Sequence, residues 1–544
     1  MQLPPLSRRS RWVAILFAAV VWFGLTVPRL TIPGLYYDEV IFVNAGLGGP
    51  LESFAQTRVF GWPMFIMPYI GALKSLIHAP FFALFGVNIW TLRLPSLVIS
   101  FGTVLLLAGV ARRLAGRRAF FVGLLLFVLD PALLWTSRTD FGPTTLASFF
   151  RALALFVFLA WLGRGGRWRF LLLVLALLLG LWDKLNFVWF LGGLVGASLL
   201  VYPKAVFSRF REGGVANGMT CAFGLVLGGY FLFARIIPLL QLKQPWFGHP
   251  PGLERLGWLG GLLAETLDGR SIGLFHFPGK DLPEGEVLWF LAFLLGMFLF
   301  VFAVPREKGG EPCTPGELCL EEEGRFRRAP LFLVLLFLLV SAQIFLTRQV
   351  GGLHHLMMLH PLPQLLGFAL WGELGGARAR LLRWLGRILL GAGMLAWLLV
   401  SARLDLAYLR MMGHPELENP KWSSAIFELS RSLERKPFDL VICTDWGLHA
   451  PLFSLAKSGR RMRYWDLWPK FKVLDQHPRD AAWLAGEVRG KRVLVVMHAK
   501  EFVEQKPARA NALRWIQSLP GKKEHWTVKH GDGRDLFEVY WIAP

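Results

Sequence analysis

The feature that most constrains this chain is a series of apolar runs, each close to the length needed to cross a bilayer. Trp12–Val27, Leu94–Val110, Phe187–Tyr202, Val287–Val304 and Leu331–Phe345 are examples. A helix that crosses the hydrocarbon core needs about 20 mostly apolar residues. A soluble protein buries apolar residues too, but it does not repeat runs of this length. With 54% hydrophobic and 18% charged residues, an ordinary soluble enzyme and a disordered chain are excluded. Four cysteines (Cys221, Cys313, Cys319 and Cys443) are too few and too scattered for a disulfide framework. Cys313 and Cys319 share a polar loop that holds no second ligand pair, which argues against zinc. The chain is expected to be a polytopic α-helical membrane protein.

The first run follows Arg8-Arg9-Ser10-Arg11, as in a signal peptide. Pro28-Arg29-Leu30-Thr31-Ile32-Pro33 comes next, with no small-x-small cleavage site, so an uncleaved first helix is expected. Further spans are expected near 91–111, 119–136, 144–162, 170–183, 186–202, 216–239, 285–304, 330–346, 354–375 and 388–405, about eleven in all. The segment Gly61–Phe85 is apolar, yet Pro63, Pro68, Lys74, His78 and Pro80 interrupt it. The positive-inside rule decides its fate. If 61–85 does not cross, about 22 basic residues lie on inner loops, roughly twice the outer complement. They include Arg112, Arg113, Arg117, Arg118, Arg164, Arg167 and Arg169, and five more in the charged loop 305–329. If it crosses, about 19 of them turn outward. The segment is therefore expected as helices lying in or dipping into the outer interface. This places the N-terminus in the cytoplasm, and the loop 31–90 and the C-terminal tail outside.

The excess of 59 Lys+Arg over 37 Asp+Glu, a net +22, is thus mainly an orientation signal, and nucleic acid is not an expected partner. The rest sits largely in the tail, close to anionic membrane lipids. From about 412 the chain turns polar. Phe438–Cys443, Arg492–Met497 and Leu536–Ile542 read as strands, and Trp422–Leu433 and Ala508–Leu519 as helices. The expected division is a transmembrane unit, 1–411, and a soluble α/β domain, 412–544. Asp445, Trp446, Gly447 and His449 cluster after a strand in that domain, with no spacing rule that ties them to chemistry.

Several outer segments carry ionisable groups, which are costly beside a membrane and usually serve a purpose. The first loop holds Tyr36-Tyr37-Asp38-Glu39. The second holds Ser137-Arg138-Thr139-Asp140-Phe141-Gly142-Pro143, and the third Asp183-Lys184-Leu185-Asn186. Thr347-Arg348 closes the ninth span and His354-His355 opens the tenth. Taken singly, each has an ordinary explanation: a solvated acidic pair, a salt bridge closing a turn, a hydrogen-bonded histidine pair. Taken together, they suit a reaction on a phosphorylated, lipid-anchored substrate. One carboxylate accepts the proton of an acceptor hydroxyl, and cations or a metal stabilise the departing phosphate.

Asp38-Glu39 in a first outer loop resembles the Asp-Glu motif of the GT-C glycosyltransferases, in the protein O-mannosyltransferase and aminoarabinose (lipid A) transferase-like branch. Leu84-Phe85-Gly86-Val87-Asn88, with Thr91-Leu92-Arg93-Leu94-Pro95-Ser96, resembles that branch's interfacial helix entering span two. Leu107–Arg118 resembles its first cytoplasmic turn. Ser137-Arg138-Thr139-Asp140 matches the position of a second acidic motif, and the Lys184 turn a Leu-x-Lys element. His354-His355-Leu356-Met357-Met358-Leu359-His360-Pro361 resembles the start of a late span. The resemblance covers about 20–400 and implies an inverting sugar transfer from a polyprenyl-phosphate-linked donor at the outer face of the inner membrane. It casts Asp38 as general base, supported by Glu39, with Asp140 assisting the acceptor or a metal. Arg138, Lys184, Arg348 and His355 are candidates for the lipid phosphate, and His354, Arg58 and Tyr37 are further substrate-binding candidates. A divalent metal, if bound, would fall to Asp38, Asp140 and His355. Where many relatives start the interfacial helix with Lys-Pro or His-Pro-Pro, this chain has Gly61-Trp62-Pro63. The acceptor class (glycolipid, polysaccharide or protein) stays open. The alternative is a lipid or solute transporter or flippase. Against it, charges are scarce in mid-span and no inverted repeat is evident.

Overall fold

The computed structural model describes residues 8–47, 57–231, 248–279, 287–304, 328–348, 352–375 and 379–544, together with 55, 233, 237, 282, 283 and 350. Most of the charged loop 305–329, with Cys313 and Cys319, lies outside the described residues, as does part of the expected span 216–239.

Within the described residues, each of the eleven expected spans falls on a helix or a helix pair. Among the described residues, six helices are long and apolar enough to cross a bilayer: α1 (Arg8–Thr26), α4 (Ile89–Ala115), α7 (Thr145–Arg164), α11 (Gly214–Phe231), and the helices Ala329–Leu346 and Arg380–Met411. Two bent pairs bring the number to eight. α5 (Ala119–Val128) and α6 (Pro131–Thr139) meet at 52°, and α9 (Phe187–Val201) and α10 (Pro203–Glu212) at 103°. The remaining expected spans lie on shorter helices: α8 (Arg167–Asp183), Val287–Ala303 and Leu362–Leu374.

Local chemistry sets these boundaries. The Asn88 side chain accepts from the amides of Trp90 and Thr91 at 2.9 and 3.2 Å and so starts α4. Gly116, at φ +86°, ends it, in a conformation that costs glycine nothing. Between α5 and α6, Asp130 caps the Leu133 amide at 3.0 Å and Pro131 opens the new helix, so the ladder breaks inside an apolar stretch. The bundle core holds Val104, Leu107, Phe127, Trp135, Phe158, Leu336 and Leu365, all buried. Leu16, Val20, Leu299, Leu338, Leu395 and Leu399 point outward and are exposed, the surface a lipid-facing bundle requires.

The segment 61–85 differs from expectation. It begins as a small antiparallel sheet of β1 (Thr57–Val59), β2 (Trp62–Met67) and β3 (Ile70–Gly71), and only then forms α3 (Leu73–Phe85). Phe60 and Gly61 have φ of +49° and +80°, the pair of positive values that a tight hairpin turn needs. With 13 residues, α3 is too short to span.

Beyond Met411 lies a five-stranded sheet in the order β5-β4-β6-β8-β7. Its strands are β4 (Leu440–Cys443), β5 (Tyr464–Asp466), β6 (Val493–His498), β7 (Lys522–Lys529) and β8 (Asp535–Ala543). β4 is parallel to β5 and β6, whereas β8 is antiparallel to β6 and β7. The three expected strands are β4, β6 and β8. β5 and β7 were not evident in the pattern, because β5 has three residues and β7 is mostly polar and solvated. The chain is thus a multi-pass helical membrane protein with a sheet-bearing C-terminal region.

Candidate active site

α2 (Tyr37–Asn44) carries the first-loop carboxylates on its first turn, where the helix dipole favours negative charge. Their environments differ. Glu39 is buried and bound by both arms of Arg93, Nε at 2.6 Å and Nη2 at 2.8 Å. The same guanidinium donates to the carbonyls of Leu30, Pro33 and Gly34. Glu39 also accepts from the Tyr36 amide at 3.3 Å. Both of its oxygens are engaged in holding the loop. Asp38 is half-buried and, among the described residues, accepts one hydrogen bond, from the Tyr36 hydroxyl at 2.9 Å. Burial pushes its carboxyl above the ordinary carboxylate range, against the pull of that bond and of the Lys184 and Lys74 charges.

Asp140, at φ +43° after α6, accepts from the amides of Thr144 and Thr145 at 3.0 and 2.8 Å. Its other oxygen meets Lys74 at 2.8 Å. Burial raises its pKa, but Lys74 and the Thr145 donors outweigh that and hold it below the usual range. Lys74 itself also donates to the Glu39 carbonyl at 2.9 Å, and so ties α3, α2 and the α6–α7 turn together.

Lys184 follows α8 and is clamped by the small sheet. Its backbone bridges Ile70, and the Leu185 amide donates to the Tyr69 carbonyl at 2.9 Å. The Trp182 indole donates to the Met64 carbonyl at 2.8 Å. The Lys184 ammonium donates to the Gly142 carbonyl. Burial pulls its pKa down to about 8, against the opposing charges of Asp183, Asp38 and Asp140. Gly142 has φ +59°, and a Cβ there would sit 2.5 Å from His354. The rings of His354 and His355 are 4.1 Å apart.

Three further expected residues, Arg138, Arg58 and Arg348, are carried by separate segments. Arg138 is fully buried in α6 and donates to the carbonyls of Thr26, Pro28, Arg29 and Ile32. The stretch expected as a loop from Ser137 is helix to Thr139, and Arg138 fastens the end of α1 and the turn after it. Arg58 lies on β1, half-buried, donating to the Gly61 carbonyl at 2.7 Å. Arg348 is exposed beyond the helix Ala329–Leu346. Asp38, Asp140 and His355 do not form a metal set. Among the described residues, no three His, Cys, Asp or Glu side chains gather closely enough, and both Asp140 oxygens are already engaged.

An aromatic wall closes the site. Tyr36 stacks on Phe141 at 5.2 Å and meets Phe275 and Trp422 edge-on at 5.1 and 4.6 Å. Tyr37 lies 5.2 Å from Trp446, which in turn lies 5.6 Å from Trp422. The C-terminal region therefore supplies part of the wall. Asn44 at the end of α2 donates to the Ala450 carbonyl at 3.1 Å and accepts from Ser454 at 2.7 Å. Asp445 is committed to holding this edge: it binds His498 at 2.7 Å and the amides of Glu504 and Gln505. Asp466, at the end of β5, has an unpartnered buried oxygen. Burial raises it to about 7. Tyr37 feels both Asp466 and Asp38, and burial with these charges raises its phenol.

The family model described as dolichyl-phosphate-mannose-protein mannosyltransferase matches residues 72–226, from α3 to α11. No curated protein matches the sequence. Among solved structures, ArnT from Cupriavidus metallidurans, crystallised with undecaprenyl phosphate, aligns at a TM-score of 0.59. The alignment covers 98% of each chain at 14% identity. The fold is GT-C. That likeness extends past the region where the motifs are legible and includes the sheet-bearing C-terminal region.

Lys74, Arg93, Trp422 and Trp446 were not among the expected site residues. Lys74 was visible as a cation inside an apolar segment, which is a functional signal in its own right. Arg93 stood within a quoted motif. Trp446 stood in the cluster Asp445-Trp446-Gly447-His449, but nothing local tied it or Trp422 to the site, because the docking of the C-terminal region brings them there.

Proposed function

We propose that this GT-C protein is an inverting glycosyltransferase that moves a sugar from a polyprenyl-phosphate carrier to an acceptor hydroxyl, with Asp38 as general base. The observation that carries the reading is the contrast among the carboxylates. Glu39 and Asp140 are consumed by Arg93, Lys74 and backbone amides, whereas Asp38 keeps one light tie and a raised proton affinity. In the step, Asp38 takes the acceptor's hydroxyl proton as the oxygen bonds to the anomeric carbon. The bond from that carbon to the phosphate oxygen breaks on the opposite face, and the phosphate leaves on its lipid. A single displacement inverts the centre. The leaving phosphate needs no proton, so one carboxylate suffices, unlike the pair required in glycoside hydrolysis. Lys184, aided by the Lys74 charge, faces the departing phosphate.

The unit 1–411 would carry the reaction, and the module 412–544 would cover it on the extracytoplasmic side of the inner membrane, with the N-terminus in the cytoplasm. A glycolipid, polysaccharide or protein is the acceptor class to test. Removing the protein should cause one polyprenyl-phosphate-linked sugar to accumulate, and restoring wild type but not Asp38→Ala should clear it. An unchanged lipid-linked sugar pool would count against transfer from such a donor.

A further inference from the structure

The end of the bundle remote from Asp38 holds a second charged site. Arg11 of α1, and Arg112 and Arg117 around the α4–α5 turn, line an open cavity of about 130 Å³ with Phe120 and Phe121. Arg112 lies 19 residues along α4 from Arg93, the partner of Glu39, which is about 28 Å of helix. The cavity is therefore separated from the catalytic end by nearly a membrane thickness. Among the described residues no carboxylate pairs with Arg11, Arg112 or Arg117. Basic residues on one side of a membrane protein often serve orientation alone, and Arg11, Arg112 and Arg117 are exposed, as such residues usually are. Here three of them converge from two helices and a turn on one concavity, where mutual repulsion opposes their gathering until an anion offsets it.

We propose that this cavity binds a phosphate-bearing anion between α1 and the α4–α5 turn. The guanidinium groups match phosphate oxygens, and the two phenylalanines supply an apolar wall beside them. The same chemistry is met by an anionic phospholipid headgroup and by free inorganic phosphate. Occupancy would tie α1 to its neighbours and replace a missing counter-charge.

The test uses full-length protein in nanodiscs of phosphatidylglycerol or of phosphatidylcholine, with retained lipid counted by native mass spectrometry. Wild type should retain phosphatidylglycerol at least tenfold over phosphatidylcholine, and Arg112→Gln/Arg117→Gln should lose that preference. Arg118→Gln is the control, since Arg118 is on the same turn and exposed like Arg112 and Arg117 but does not line the cavity. Millimolar inorganic phosphate that raises the thermal midpoint of detergent-solubilised wild type, but not of the double variant, would identify free phosphate as a ligand. If Arg118→Gln loses as much lipid as the double variant, the effect is general surface charge and the site is overturned. Equal retention of the two lipids by wild type, with no phosphate effect, overturns it without recourse to any variant.

Discussion

Glu39→Gln separates a folding role from a chemical one. Glu39 and Arg93 form a bidentate pair with side chains 2% and 1% exposed, and Arg93 also collects three carbonyls of the loop before α2. Removing one charge leaves the other buried and uncompensated, which costs about 3–5 kcal/mol. Gln keeps the shape but donates where Arg93 also donates, so the lower part of that range, about 3 kcal/mol, applies. The assay is a double-mutant cycle with Glu39→Gln, Arg93→Met and the pair, followed by thermal unfolding of the detergent-solubilised protein. Each single variant should lower the midpoint by several degrees. The double variant should lose less than the sum, because no orphan charge remains. Transfer per folded molecule should stay within about tenfold of wild type, since the role is positional. A Glu39→Gln protein with a wild-type midpoint and no transfer would refute this reasoning and put Glu39 in the chemistry.

Transfer should follow a bell in pH. The acid limb marks protonation of Asp38, whose proton affinity burial has raised, and the alkaline limb near 8 marks loss of the Lys184 charge. Lys184→Arg should move the alkaline limb upward, because a guanidinium stays charged; an unmoved limb would remove Lys184 from the phosphate. Gly142→Ala combines φ +59° with a 2.5 Å approach to His354 and should cost about 2 kcal/mol, read as a lowered thermal midpoint. Trp446→Ala deletes ring contacts to Tyr37 and Trp422, each worth about 0.5–1.5 kcal/mol. Hydrogen exchange should quicken in α2 while β6 keeps its protection; unchanged exchange in α2 would mean that the wall is not held by these rings.

The spans were legible because hydropathy is a local property of the sequence. Trp12–Val27 or Leu331–Phe345 declares itself without reference to a neighbour. What local pattern missed was the break at Asp130-Pro131 inside one run and the hairpin turned by Phe60-Gly61 within another. Capping and turn chemistry decide both, and both are overwritten in the sequence by apolar residues. In the site, Asp38 was legible as a carboxylate beside a membrane, but its difference from Glu39 was not. That difference depends on Arg93, 54 positions away, reaching one and not the other. Arg138 shows the same limit: an arginine at a helix end reads as a ligand for phosphate, and no local pattern reveals the carbonyls of Thr26 to Ile32 that surround it. Trp422 and Trp446 belong to no motif and act only through docking.

The central claim is that Asp38 takes the acceptor proton while the donor is held by other groups. Asp38→Asn keeps the Tyr36 contact and the shape of the site but cannot accept a proton, so binding and chemistry can be measured apart. Undecaprenyl phosphate should bind the variant with wild-type affinity, within about threefold, while transfer falls by about 10²–10⁴, the usual worth of a general base. Transfer by Asp38→Asn within tenfold of wild type, at equal binding, would contradict the account.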